Sequence, residues 1–160
     1  MQYYYTYQTP IGNIWIVEEH GFIVYVEFEI DVSGMEKKET PLIKKTHLQL
    51  TEYFDGKRKT FDIPIKSIGT DFQRRVWAAL QTIPYGEVWS YKRLAETVGS
   101  PKGYRAVGMA NNRNPISVIV PCHRVVGING ALVGYAGGID KKKWLLDMER
   151  GSLYHLQNDF

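Results

Sequence analysis

The chain has 160 residues, 44 % of them hydrophobic, with a formal charge of +3 and one cysteine. That length suits one ordinary domain or two small ones, and no apolar run approaches a membrane span. A lone cysteine excludes an internal disulfide and any multi-cysteine zinc site, and it points to a reducing compartment where Cys122 persists as a thiol. The opening MQYYYTYQTP lacks the basic and apolar regions of a signal peptide, so an intracellular, cytoplasmic protein is expected. The charge is uneven: residues 1–84 carry a net −1 and residues 85–160 a net +4. The basic half also holds the cysteine, which fits an anionic partner.

In chain order, the first pattern is IGNIWIVEEHGFIVYVEFEI at 11–30, two strands rich in branched and aromatic residues around the EEHG turn. Val24, Val26, Phe28 and Ile30 alternate with Tyr25, Glu27 and Glu29, as in a strand with one wet face. The polar segment 31–40 reads as an exposed loop. After Pro41, the residues Ile43, His47, Leu50 and Phe54 recur at helical spacing and Gly56 is a stop, which places His47 at a core boundary. Residues 1–66 are thus expected to form a small sheet with a helix and no catalytic cluster, and a connector leads into a second unit over 67–160.

Thr70 or Asp71 can cap a helix whose Phe72, Val76, Trp77 and Leu80 form an apolar stripe, ended by IPYGE. Ser90 can cap a short helix closed by Gly99, and Pro101 opens another that runs to Asn112. Two short helices about a glycine-containing turn fit a helix-turn-helix, although an ordinary helical hairpin has the same pattern. Ala106, Gly108 and Ala110 give the second of them a slim surface, with Arg105 at its start. Glycine costs a helix interior roughly 1 kcal/mol relative to alanine, so Gly108 implies a close approach by a packed helix or by the wall of a groove. After GYAGG, Asp140 can cap a last helix with Trp144, Leu145 and Met148 on a buried face. Lys141, Lys142 and Lys143 oppose the dipole of its first turn, and either serve a partner or are screened by water.

A free cysteine with a pKa near 8.5 is only about 3 % thiolate at pH 7, and lowering that value to about 7 raises the fraction to roughly half. His123 and Arg124 adjoin Cys122, but neighbours on an extended strand face opposite ways. A histidine could reach the sulfur directly or through water, with a carboxylate on its other nitrogen. Glu149 is a candidate because its helix follows soon after the cysteine. From the residues alone, a buried structural thiol and a nucleophile both remain open, a Cys–His hydrolase being one form of the latter. A redox role is disfavoured without a second cysteine, and the histidines at 20, 47, 123 and 155 have no ligand spacing, so no metal is expected.

Several motifs together resemble the O6-alkylguanine-DNA alkyltransferases: VPCHRVV preceded by Asn114–Pro115, IPYGEVWSYKRLAE, RAVGMANNRNP, GYAGG and KKWLLDME, in that family's order and spacing, with TPIGNIWIV and GFIVYVEF similar to its N-terminal hairpin. The resemblance implies an α/β protein with a small ribonuclease-H-like sheet domain and a mainly helical, winged-helix-like domain carrying a helix-turn-helix. It implies that Cys122 accepts the alkyl group from guanine O6 once and irreversibly, with no cofactor. His123 would act as base through an ordered water, Glu149 would polarise His123, and Asn114 would brace the active-site turn. Tyr91 would donate its hydroxyl to the flipped base. Arg105 would fill the space the base leaves, with Ala106, Gly108 and Ala110 in the minor groove. Arg113, Lys92 and Lys102 would attract phosphates. Val125, Tyr135, Ala136 and Trp89 would shape the base pocket; Ala136 stands where some relatives have serine, and Trp89 is bulkier than is usual there.

The partner so implied is duplex DNA containing O6-alkylguanine, with O4-alkylthymine a second lesion on the same chemistry, met by a monomer without membrane attachment. The runner-up is a damage-binding module that does no chemistry. A helix-turn-helix regulator and a papain-like hydrolase rank below it.

Overall fold

β-branched and aromatic runs shape the first part of the chain. The computed structural model describes residues 1–151, in two compact units: residues 1–68 with 115–119, and residues 69–114 with the chain from Val120 onward. In the first unit, β1 (Gln2–Thr9), β2 (Gly12–Glu19), β3 (Phe22–Glu27) and β4 (Glu36–Lys37) form a sheet of order β3-β2-β1-β4. β1 pairs antiparallel with β2 over its whole length, from Gln2↔Glu19 to Thr9↔Gly12. His20 and Gly21, both with positive φ, close the β2–β3 hairpin, the conformation whose twist matches that of the strands it joins. The tyrosine-rich β1 was not among the expected strands, because its polar residues hide the alternation. β3 stops at Glu27, short of the expected Ile30, and the exposed loop contains the two-residue β4.

α1 (Pro41–Phe54) starts where Thr40 accepts from the Ile43 amide and Pro41 needs no hydrogen-bond partner. Its Ile43, Leu50 and Tyr53 are fully buried, as are Ile14, Ile16 and Val24 of the sheet. His47 stacks on Tyr7 with ring centroids 3.7 Å apart, in keeping with a core-boundary position. Residues 115–119 add to the edge of the sheet beside β3: the Val26 amide donates to Pro115 O and the Ser117 amide to Val26 O, each at 2.9 Å.

In the second unit, α2 (Asp71–Leu80) begins with a capping box in which Thr70 and Gln73 exchange side-chain-to-backbone bonds of 3.1 and 3.0 Å. Val76, Trp77 and Leu80 bury its apolar stripe, and the Trp77 indole donates to Ala110 O at 2.8 Å. β5 (Trp89–Ser90) pairs in parallel with β6 (Val125–Val126). The helix-turn-helix is α3 (Tyr91–Thr97), capped by Ser90, followed by α4 (Tyr104–Asn112). α4 starts three residues later than the sequence suggested. Pro101 and Lys102 lie in the turn, and the Gly103 amide is held by Ser100 O at 2.8 Å. α5 (Ile139–Glu149) has Gly138 at its N-cap position, so Asp140 sits in the first turn and does not cap. Its buried face is Lys142, Leu145, Leu146 and Glu149, while Trp144 and Met148 are half-buried. Of the histidines considered as ligands, His155 lies outside the described residues.

Candidate active site around Cys122

Two tight turns deliver the cysteine. The Ile119 amide bonds Ser117 O at 2.8 Å across Val118, whose φ is +71°. That is a γ-turn with a β-branched residue in the left-handed region, a strain of about 1–3 kcal/mol. A second turn of the inverse type follows at Pro121 (φ −82°, ψ 65°), where the Cys122 amide bonds Val120 O at 2.8 Å. Asn114 Nδ2 donates to the same Val120 carbonyl at 2.7 Å, and the Asn114 side chain also hydrogen-bonds the thiol. Cys122–Arg124 then form one 3₁₀ turn. Its three side chains spread at about 120° intervals instead of alternating as on a strand. All three are buried, so adjacent residues can serve different neighbours.

His123 and Arg124 converge on one carboxylate from the end of α5. His123 Nε2 lies 2.7 Å from Glu149 Oε2; Arg124 donates through Nε to Oε1 at 2.9 Å and through Nη2 to Oε2 at 3.0 Å. The Gly86 amide adds a bond to Oε1 at 3.2 Å, and Arg124 Nη1 donates to Ile83 O at 2.7 Å. Burial pushes the Glu149 carboxyl up, but His123 and Arg124 outweigh it and hold the pKa near 2. Burial holds His123 below its ordinary value despite Glu149, so the imidazole is neutral at pH 7. A neutral imidazole beside a carboxylate must place its proton on Nε2, which leaves Nδ1 as the basic nitrogen.

The thiol is not pre-ionised. Burial pushes Cys122 up to about 11, against opposing pulls from the Asn114 hydrogen bond and the Lys142 charge. Reaction therefore needs a base that acts at the moment of attack. Lys142 is fully buried, and burial brings its pKa down to about 8. Its Nζ donates to Val133 O at 2.8 Å and to Gly134 O at 3.2 Å, and it lies 5.9 Å from the centre of the Tyr91 ring. Gly134 has φ +62°, and a Cβ there would come within 2.9 Å of Asn112 Nδ2. The loop is thus drawn closely onto α4.

Beside these groups is an open cavity of about 390 Å³, lined by Tyr91, Tyr104, Arg105, Gly108 and Asn112 from the two helices and by Val133 and Gly134 from the loop. The Tyr91 hydroxyl donates to Val133 O at 3.2 Å, burial raises its pKa above the ordinary phenol value, and it is close enough to Cys122 for the two to couple electrostatically. Arg105 and Ala106 are exposed on α4, together with Met109 at 55 %. Arg113, Lys92 and Lys102 are exposed as well. Gly108 is not required by packing within the fold: a Cβ there would meet nothing nearer than Tyr91 Cε1 at 3.8 Å.

One expected position needs correction, and four others lie outside the lining of this cavity. Ala110 is 2 % exposed and turned into the core, because the 3.6-residue helical period separates it from the face that carries Arg105. Val125 (0 %) and Trp89 (7 %) are covered by the β5–β6 pairing and its surroundings, and neither lines the cavity. Tyr135 is buried and Ala136 exposed, and again neither contributes to the lining. Reading the sequence missed the fork of Arg124 on Glu149, although a cation at the position after His123 and an acid in the last helix were its two visible ends. It also missed Lys142: the only signal was that Lys142 lies at the same helical spacing as Leu145, Leu146 and Glu149. Among the described residues, no group of three or more His, Cys, Asp or Glu could hold a metal ion.

Residues 2–67 match the family model for the 6-O-methylguanine DNA methyltransferase ribonuclease-like domain, and residues 71–151 match that for the DNA binding domain of the same enzymes. The chain is 48 % identical over 159 residues to the constitutive methylated-DNA–protein-cysteine methyltransferase of Bacillus subtilis, covering 94 % of this chain and 96 % of that one. It is 45 % identical to the methylated-DNA–protein-cysteine methyltransferase of Methanosarcina acetivorans, covering 92 % and 97 %. Among solved structures it is similar to Mycobacterium tuberculosis OGT in complex with DNA, with a TM-score of 0.88, 41 % identity and 93 % of both chains covered.

Proposed function

The chain belongs to the 6-O-methylguanine DNA methyltransferase family, and from that premise we propose how its own residues carry out the reaction. It repairs O6-alkylguanine directly, by transfer of the alkyl group to cysteine, and Cys122 is the only cysteine it has. The observation that carries the reading is the buried array of Cys122, His123, Glu149 and Arg124 in a unit that also presents Tyr91 and Arg105 to an open cavity.

The lesion base, turned out of the duplex, occupies the cavity, where Tyr91 reaches it. His123 takes the thiol proton, directly or through water. Glu149 holds the proton on Nε2 and stabilises the imidazolium that forms. The sulfur attacks the carbon bonded to O6: an S–C bond forms, the C–O bond breaks, and its electron pair remains with the purine. Tyr91 exchanges Val133 O for the base as hydrogen-bond acceptor and supplies a proton as negative charge develops. The products are neutral guanine and S-alkylcysteine. The proton remaining on His123 returns to Tyr91 through solvent.

Arg105, exposed at the start of α4, enters the space that the base vacates, and Arg113, Lys92 and Lys102 contribute attraction to phosphates. Asn114 braces the thiol turn through Val120 O. O4-alkylthymine is a second substrate on the same chemistry. We take the partner to be duplex DNA met by one chain, within the cell; no helix among the described residues is long and apolar enough to cross a membrane. The sheet unit supports the unit that carries the chemistry.

The test is stoichiometry. Titrating a duplex that contains O6-methylguanine should restore guanine up to the amount of protein and no further. Repair in excess of the protein, or binding with no repair, would contradict the reading, and the second outcome would favour the damage-binding module.

A further inference from the structure

Met109 projects from the outer face of α4, 55 % exposed, and the reaction described above does not use it. The buried residues of α4 are Val107, Ala110 and Asn111. With 3.6 residues per turn, the middle of the opposite face falls close to Arg105. Tyr104, Gly108 and Asn112 lie to one side of Arg105, and all three line the cavity. Met109 falls about 40° to the other side and one turn further along the helix. Its neighbours there, Ala106 and Arg113, are exposed as well. Between Ala106 and Gly108 on a slim face, Met109 is the side chain that stands out beside Arg105.

The surroundings say what covers it. α4 carries no acidic residue, and Arg105 and Arg113 stand one turn before and one turn after Met109. An apolar side chain between two cations suits an apolar floor between two rows of anions. A minor groove has that layout, with sugars and base edges between two phosphate rows.

We propose that Met109 is a wedge in the minor groove of the lesion duplex. It enters beside Arg105, on the side away from the cavity, and loosens the base step next to the lesion. A loosened step makes it cheaper to turn the lesion out, and Arg105 then fills the gap. An unbranched thioether adapts to a groove whose width changes as the base leaves. This inference rests on the proposed alkyl transfer with base flipping, and it adds the group that opens the stack.

The test compares single-turnover rates at saturating protein on a duplex containing O6-methylguanine and on free O6-benzylguanine. Met109→Ala should slow the duplex reaction about tenfold, as expected for the loss of an unstacking wedge. It should change the free-base rate less than about twofold, because no stack has to open. Alanine favours helix at an exposed position, so the variant folds. Met109→Leu keeps the apolar bulk and should retain most of the duplex rate. A 2-aminopurine placed beside the lesion should brighten when the unsubstituted protein binds and brighten less with M109A. A wild-type duplex rate for M109A, or equal losses on duplex and free base, would overturn the inference while leaving the transfer itself intact. Unchanged repair together with a self-association that M109A abolishes would also overturn it, and would give this face to a second copy of the chain. If the unsubstituted protein transfers from neither substrate, the underlying reading fails instead.

Discussion

Replacing Glu149 with glutamine separates the chemistry of the buried carboxylate from its structural role. The carboxylate accepts from His123 at 2.7 Å, from Arg124 at 2.9 and 3.0 Å and from the Gly86 amide at 3.2 Å. Glutamine offers one oxygen and one NH₂ group in the same volume. Arg124 has only donors, so the oxygen turns to it and the NH₂ faces His123. Nε2 must then accept, the imidazole proton moves to Nδ1, and the base toward the thiol is lost. A base of this kind contributes roughly 10²- to 10⁴-fold, so E149Q should slow single-turnover transfer by that factor. Arg124, 8 % exposed in its side chain, is left as a buried charge without its counter-ion, a cost of about 3–5 kcal/mol in urea unfolding. Adding Arg124→Met removes the orphaned charge and should recover much of the stability and none of the rate. A variant E149Q with wild-type kinetics, or a double variant that regains activity, would refute the assignment of Glu149 to His123.

Arg105→Ala should reduce repair of a paired duplex more than reaction with free O6-benzylguanine, because only the duplex requires a flipped base to be replaced; equal losses would remove that role. Gly108→Ala should leave the fold intact and raise its melting temperature, since alanine favours helix by about 1 kcal/mol and its Cβ makes only an ordinary contact at 3.8 Å. The same variant should weaken binding to lesion duplex, and unchanged binding would show that the slim face is not used. Folding stability should fall in acid. Glu149 is ionised in the folded chain from about pH 2 upward, whereas an ordinary glutamate titrates at 4.5, so its contribution is complete above about 4.5 and lost as the pH falls to 2. Depressed His123 adds loss in the same direction, because the unfolded chain gains its proton first. Urea midpoints measured from pH 7 to pH 2 that stay level would contradict this.

Local signals carried much of the architecture into the sequence. Thr70, Ser90 and the pair Thr40–Pro41 announce helix starts through short side-chain bonds that involve only near neighbours. The motifs around Cys122 pointed to the family, and the chain's one thiol left a single candidate for the alkyl acceptor. What remained hidden depended on distant packing. Lys142 looked like one of three solvated lysines, yet it is buried against two loop carbonyls. Arg124 looked like a neighbour of His123, and only the fold brings both onto Glu149. Ala110 was assigned to the exposed face with Ala106, one turn before it, yet it is packed into the core, where its carbonyl accepts from the Trp77 indole. Pro101 suggested a helix start, but a turn held by Ser100 and Gly103 delays it.

The most direct measurement is intact-protein mass spectrometry after incubation with duplex DNA containing O6-methylguanine, followed by peptide mapping, with Cys122→Ala as control. The account predicts one added methyl per chain, located on the peptide around Cys122, with guanine restored in the DNA. C122A should gain no mass while keeping much of its DNA binding. Methyl on any other residue, transfer by C122A, or bound DNA with an unmodified Cys122 would contradict the assignment of Cys122 as acceptor.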